Sequence, residues 1–232
     1  MNYRSILATL ALCLTFDARA ALIYQYEFNG NLADTLGGPA LVANGGSVAA
    51  GRYGFAANQG LRLHGNLGAT YTIDMRFRFD TLGSWQKVVD FSGLLQDYGF
   101  YTSGSGYDLY NYGGSFGHLT AKQDTRLTLT RGADAAFRIY QDGVLVGTVA
   151  DKQGYADFAG HDANFFRDDR GLNEAAAGSV DFIRIYDNVL TQAQVHALAD
   201  PSQVPEPAGG TLMVMGLSLL GLSVGKGRRQ RR

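Results

Sequence analysis

Apolar and polar residues alternate over much of the central chain. The longest run is 71–79, in which five apolar residues alternate with four polar or charged ones. This pattern is typical of a β-strand with one face on a hydrophobic core. Shorter apolar-rich runs at 22–28, 126–130 and 180–186 predict three further strands.

Two local signals complete the secondary-structure prediction. The apolar segments 137–140 and 144–146 flank Asp142-Gly143, a dipeptide that favours the tight turn of a β-hairpin. Residues 191–194 read Thr-Gln-Ala-Gln, a capping box that predicts a helix of about two turns. Strands and helices do not alternate, so a parallel sheet is not expected. The prediction is an all-β, antiparallel sandwich with one short C-terminal helix.

Composition supports this fold class and excludes others. Glycine makes up 31 of the 232 residues, with 13 Tyr and 13 Phe, which suits short strands joined by glycine turns rather than a helical bundle. The net charge of −1 argues against a nucleic-acid-binding protein, which usually carries a basic surplus. Within 21–203, 19 acidic residues outnumber 13 basic ones, a charge of −6.

Residues 1–20 have the three parts of a cleavable signal peptide. Arg4 supplies a positive charge, 6–16 is apolar, and Ala18-Arg19-Ala20 matches a cleavage site. Cys13, the only cysteine, lies inside this segment. The mature chain is therefore expected to contain no disulfide.

The C-terminal end also has three parts. A linker over 201–207 carries Pro205-Glu206-Pro207, an uncharged segment spans 208–224, and a basic tail spans 225–232. Seventeen uncharged residues are long enough for a short membrane helix. Basic residues stay on the cytoplasmic side, so a domain over 21–200 is expected outside the inner membrane.

This end resembles the PEP-CTERM sorting signal of Gram-negative bacteria, in the Pro-Glu-Pro motif, the Gly- and Leu-rich apolar segment and the arginine-rich finish. The resemblance implies recognition by an exosortase-type sorting enzyme and cleavage near the motif. It also implies transient anchoring in the inner membrane, followed by release to the cell surface or into an exopolysaccharide matrix.

The domain itself resembles the LamG-like, concanavalin A-like jelly rolls. The resemblance lies in the opening strand 24–28 with the loop after it, in the hairpin 137–148, and in the segment 177–187 before the short helix. It covers about residues 22–199. The resemblance implies a jelly-roll β-sandwich that is non-catalytic and binds glycans or proteins, often with calcium.

Glycoside hydrolysis is the enzymatic alternative, because related jelly rolls include glucanases. This chemistry needs two carboxylates across one bond. The domain has only Glu27 and Glu174 as glutamates, and neither lies in the Glu-x-Asp-x-Glu pattern of those glucanases. Residues 113–117 match G-x-S-x-G, but no helix is predicted after them, as a nucleophile elbow requires. We expect a protein that is not an enzyme.

Asp168, Asp169 and Glu174 are the candidate metal ligands. Carboxylate oxygens grouped in one loop suit Ca²⁺, which makes calcium the candidate cofactor. In the alternative interpretation Arg167 and Arg170 neutralise these acids in a solvated loop.

Residues 98–117 contain seven aromatic side chains. Rings beside glycines can offer flat stacking faces for sugars, whereas packing in the core or across strands is the alternative. Leu109 marks the core side of this predicted strand, so Tyr110 and Tyr112 are expected to be exposed on the same face and to bind ligand. Trp85, the only tryptophan, is the third candidate.

These patterns predict an exported cell-surface or matrix protein that binds a polysaccharide or a surface protein, and no nucleic acid. A structural matrix component without a discrete ligand is one alternative. A glycoside-active enzyme is the other.

Overall fold

The structure is a computed structural model that describes residues 20–65, 67–169 and 174–199. The predicted signal peptide, the Pro-Glu-Pro motif, the predicted membrane helix and the basic tail lie outside these ranges. Among the described residues, no helix is long and apolar enough to cross a membrane.

The described residues form strands joined by turns and loops, with one helix near their end. In chain order the elements are β1 (Leu22–Tyr26), β2 (Val42–Ala43), β3 (Ser47–Ala49), β4 (Arg52–Phe55), β5 (Leu61–Leu63), β6 (Tyr71–Phe79), β7 (Gln86–Asp90), β8 (Gly99–Ser103), β9 (Gly106–Leu109), β10 (Thr125–Arg131), β11 (Ala136–Gln141), β12 (Val144–Ala150), β13 (Ala163–Phe165), β14 (Gly178–Tyr186) and α1 (Gln192–Ala199).

These strands make two antiparallel sheets. The larger sheet has eight strands in the order β12-β11-β10-β6-β14-β4-β3, with β1 also paired to β14. The smaller sheet has six strands in the order β2-β5-β13-β7-β8-β9. Strand β6 lies between β10 and β14, so pairing between distant parts of the chain holds the larger sheet together.

The core lies between the two sheets. The five apolar side chains of β6 are buried there, as the alternation predicts, and Met75 lies opposite Leu127 of β10 and Ile183 of β14. Aromatic rings fill much of the space, and Phe55 stacks on Phe166 with ring centroids 4.6 Å apart. A core of this size, without any disulfide, supplies the driving force for folding.

The two local sequence signals have their expected structures. Asp142 and Gly143 have φ values of 50° and 82°, the left-handed conformation that a type I′ turn requires between β11 and β12. Thr191 Oγ1 accepts a hydrogen bond from Gln194 N, and Gln194 Oε1 accepts one from Thr191 N, which closes the capping box of α1.

Helix α1 covers part of the outer face of the larger sheet. Val195 packs there with Leu190, Tyr140 and Tyr186 in a small cluster separate from the main core. The prediction of an all-β antiparallel sandwich with one short helix is therefore confirmed for the described residues. On the smaller sheet, Tyr101 and Asp108 lie outside this core but are also buried, so groups beyond the two-sheet core cover part of its outer face.

Candidate functional site

Alternation along β8 and β9 places polar and aromatic side chains on the outer face of the smaller sheet. Phe100, Tyr107 and Leu109 belong to the core, so Tyr101 and Asp108 point the other way. These two residues are directly paired across β8 and β9. Side chains of such a pair lie side by side on one face.

An aromatic group stands on this face. The Trp85 ring lies edge-on to Tyr101 at 5.7 Å and to Tyr110 at 6.3 Å between centroids. Trp85 has a φ of 56°, a left-handed backbone that turns the chain just before β7. Tyr101 is fully buried, whereas Trp85 and Tyr110 are partly exposed. We call these three residues the aromatic patch.

A buried lysine lies next to the aromatic patch. Lys87 Nζ lies 5.0 Å from the centre of the Tyr101 ring, and its side chain is fully buried. Four carboxylates surround this ammonium at distances from 2.7 to 3.4 Å, those of Asp90, Asp97, Asp168 and Asp169. Tyr101 also donates its hydroxyl to Asp97 Oδ1 at 2.5 Å, which joins the aromatic patch to the acids.

Three acids form a candidate metal site. One oxygen from each of Asp97, Asp168 and Glu174 lies within 4.8 Å of the others. The predicted ligands Asp168, Asp169 and Glu174 are thus brought to one place, but Asp169 contacts Lys87 at 2.7 Å and the third member of the close set is Asp97. Sequence reasoning missed both Asp97 and Lys87, because neither lies in an acidic run.

The electrostatics of the cluster follow from burial and from Lys87. Burial alone would lower the pKa of Lys87, but the hydrogen bond to Asp169 and the charges of Asp90 and Asp168 outweigh burial and raise it. Burial raises the pKa of Asp90 to about 6, although Lys87 opposes this change. Burial and the charges of Asp97 and Asp168 raise the pKa of Glu174. The raised pKa keeps the Lys87 ammonium charged, and the four aspartates share this one positive charge.

Tyr112 lies elsewhere. Strand β9 ends at Leu109, so the alternation that predicts a shared face for Tyr110 and Tyr112 stops before them. The Tyr112 hydroxyl donates to buried Asp151 at 2.7 Å, and its ring lies 5.6 Å from that of Tyr155. The expectation that Tyr110 and Tyr112 form one exposed pair is therefore wrong.

The residues that a glycoside-active enzyme would need do not come together in the described residues. Glu27 forms an ion pair with Arg184 of the larger sheet, away from Glu174. Residues 113–117 lie beside β9, where Phe116 bridges to Tyr107, and no described helix follows them. They do not form a nucleophile elbow, which needs a strand followed directly by a helix.

Comparison with protein families identifies the domain. A model of the concanavalin A-like lectin/glucanases superfamily matches residues 54–196. The chain belongs to this superfamily. The resemblance found in the sequence is confirmed over that range. No curated protein matches the chain significantly.

Solved structures share the concanavalin A-like fold at low identity. Domain 4 of AbnA, a GH43 extracellular arabinanase from Geobacillus stearothermophilus in complex with arabinotriose, is 18% identical with a TM-score of 0.61 and covers 78% of this chain and 99% of that one. Trypanosoma rangeli sialidase is 12% identical with a TM-score of 0.64, over 79% of this chain and 33% of the sialidase. The binding domain of botulinum neurotoxin serotype G is 13% identical, with a TM-score of 0.56, and covers 79% and 52%.

These comparisons establish the fold and the superfamily. The chain spans about a third of the sialidase, and at these identities the likeness does not carry an activity across. The structural neighbours include domains of a glycoside hydrolase and of a sialidase, and the same fold also occurs in proteins that are not enzymes.

Proposed function

We propose that the domain binds glycan through the outer face of the smaller sheet. One observation carries this proposal: Trp85 and Tyr110 are partly exposed rings in contact, beside a group of carboxylates. Neither the Trp85 indole N–H nor the Tyr110 hydroxyl hydrogen-bonds another described residue. Rings with free polar edges are the groups that stack on sugars and bind their hydroxyls.

The proposal is that the domain binds glycan and does not hydrolyse it. Lys87 holds the acids together as a charge cluster, and a general acid paired with a nucleophile is not needed to explain them. The alternative of a structural matrix component with no discrete ligand remains distinct, because it predicts no specific glycan binding. Incubation with the bound polysaccharide, followed by an assay for new reducing ends, tests for hydrolysis.

Removing either ring should weaken glycan binding without unfolding the domain. Trp85→Gly suits the left-handed backbone at this position, where alanine would be strained. We expect Trp85→Gly and Tyr110→Ala each to weaken binding about tenfold or more, as truncation of a central aromatic contact does. The measurement is retention of the purified full-length chain, in detergent, on immobilised arabinan, on an N-acetylated amino-sugar polymer and on its deacetylated form.

Leu145→Ala is the matched control. Leu145 is a partly exposed apolar residue on β12 of the other sheet, so its loss should leave retention unchanged. Wild-type protein that binds none of these polymers would favour the structural-matrix alternative. Normal retention of both ring variants would move the site away from the aromatic patch.

We further propose that calcium can bind to Asp97, Asp168 and Glu174. Three carboxylate oxygens from loops around one point are the donors that Ca²⁺ prefers. Lys87 Nζ already lies 3.1 Å from Asp168 Oδ1, so the ammonium competes for part of this negative charge. Weak binding is therefore expected, and the bound ion would add structural support to the loops rather than take part in a reaction.

Calcium should stabilise the domain, and a chelator should remove the effect. At 100 times its dissociation constant a ligand adds about 2.7 kcal/mol to the free energy of unfolding, which raises Tm by several degrees for a domain of this size. Differential scanning calorimetry with and without calcium measures this. Glu174→Gln should remove the gain, whereas Asp134→Asn should keep it, because Asp134 is an exposed acid in the turn between β10 and β11 of the larger sheet. An unchanged wild-type Tm in millimolar calcium would mean that calcium does not bind to this cluster.

We also propose that the domain acts outside the inner membrane, at the cell surface or in the extracellular matrix. Support for this comes from the sequence at the two chain ends, which predicts export and exosortase sorting through Pro205, Glu206 and Pro207. Fractionation of the chain among membrane, surface and medium measures it.

A further inference from the structure

We propose that the glycan-binding face selects sugars that carry free amino groups. This inference rests on the proposed glycan binding and narrows its ligand to cationic amino-sugar polymers. Two carboxylates carry it. Asp108 is paired with Tyr101 across β8 and β9, and Glu174 belongs to the acidic cluster that Tyr101 joins through its hydrogen bond to Asp97. Each offers negative charge next to rings that can hold a sugar.

Asp108 is the first of these acids. It is only 5% exposed, and its Oδ1 accepts no hydrogen bond. Register places it beside Tyr101, and alternation places it on the same face, at the edge of the sheet. A buried carboxylate oxygen without a donor is costly unless a partner supplies one. An ammonium group of a ligand is a donor of the right charge.

Glu174 is the second acid. It is partly exposed, and it forms no ion pair with a described residue, because Lys87 lies with the four aspartates. The domain as a whole also carries more acid than base between 21 and 203. Polymers rich in carboxylates would therefore be repelled from this face, whereas polymers with ammonium groups would be attracted.

The aromatic patch favours a sugar over a basic peptide as the source of the amine. Trp85 and Tyr110 present ring surface together with an indole N–H and a hydroxyl that form no hydrogen bond with another described residue. A pyranose ring with hydroxyl groups can use both the ring surface and these polar edges. A lysine side chain would use the charge alone.

The experiment compares one polymer in two forms. The full-length chain in detergent is titrated, in chelator-treated buffer, with a glucosamine polymer and with the same polymer fully N-acetylated, in which an uncharged acetamido group replaces each ammonium. We expect the amine-bearing form to bind about tenfold more tightly at low ionic strength and to lose that advantage in high salt. A polyuronate of similar length should bind most weakly.

Two variants test whether Glu174 and Asp108 cause the preference for the amine-bearing polymer. Glu174→Gln and Asp108→Asn should each bring the amine-bearing polymer towards the level of the N-acetylated one, and Asp134→Asn should keep the full preference. Equal binding of both polymer forms to the wild type would overturn the inference and leave glycan binding standing. Polylysine that binds as tightly as the amine-bearing polymer would also overturn it, in favour of a basic peptide. If no polymer binds, both the proposed function and the inference fail.

Discussion

Replacing Lys87 with methionine should destabilise the domain by about 3–5 kcal/mol, since a buried ion pair that loses one partner leaves a buried charge. Methionine keeps most of the volume of the lysine stem but removes the ammonium. Asp90 and Asp168, whose side chains are fully buried, would then share one site without this ammonium. Denaturant unfolding of the wild type and Lys87→Met at pH 7 measures the loss.

The pH dependence separates charge from packing. Protonation of the acids relieves their repulsion, and the pKa of Asp90 is already raised to about 6 by its burial. The difference in free energy of unfolding between Lys87→Met and the wild type should therefore shrink as the pH falls from about 7 to about 4. A loss that stays constant across this range would mean that packing, not charge, accounts for it.

An exposed lysine provides the matched control. Lys152→Met removes the same charge from a solvent-exposed position and should change stability by no more than about 0.5 kcal/mol. If both lysine variants cost the same, the four contacts of Lys87 contribute no net stability.

The fold could be predicted because its signals are local and repeated. Alternation over 71–79 identifies β6 and its buried face, Asp142-Gly143 identifies the β11–β12 hairpin, and the capping box identifies α1. The pairing of the strands could not be predicted in the same way. The position of β6 between β10 and β14 depends on contacts among residues far apart in sequence.

The site could be predicted only in part, because its residues also come together from distant parts of the chain. Trp85 and Tyr110 were identified as aromatic candidates, and the structure brings them together. Lys87 gives no signal, because a single lysine in a strand is expected at the surface. The fold instead buries it among acids from β7 itself and from two loops. Tyr112 is misplaced by the sequence pattern because the chain turns directly after β9, over residues 110–112, and alternation no longer decides which way a side chain points.

Outside the Lys87 cluster, Asp151 is the acid whose substitution should lower the stability of the domain most. Its fully buried carboxylate accepts hydrogen bonds from Arg131, from Tyr112 and from the backbone N–H groups of Tyr155 and Ala156. Asp151→Ala leaves a buried guanidinium and two backbone donors without this partner. The expected loss is about 3–5 kcal/mol in the free energy of unfolding, measured by chemical denaturation.

Tyr112→Phe isolates one branch of this network. It keeps the ring but removes the hydroxyl that donates to Asp151 and accepts from the backbone N–H of Gln153, so the expected cost is about 1–2 kcal/mol. Glycan retention should match that of the wild type, because Tyr112 lies in contact with Tyr155 and Asp151 rather than with the aromatic patch. Lost retention with full stability would reverse this assignment and make Tyr112 a ligand contact. Removal of a hydroxyl that donates a hydrogen bond to Asp151 should lower the free energy of unfolding, so full stability would contradict that role.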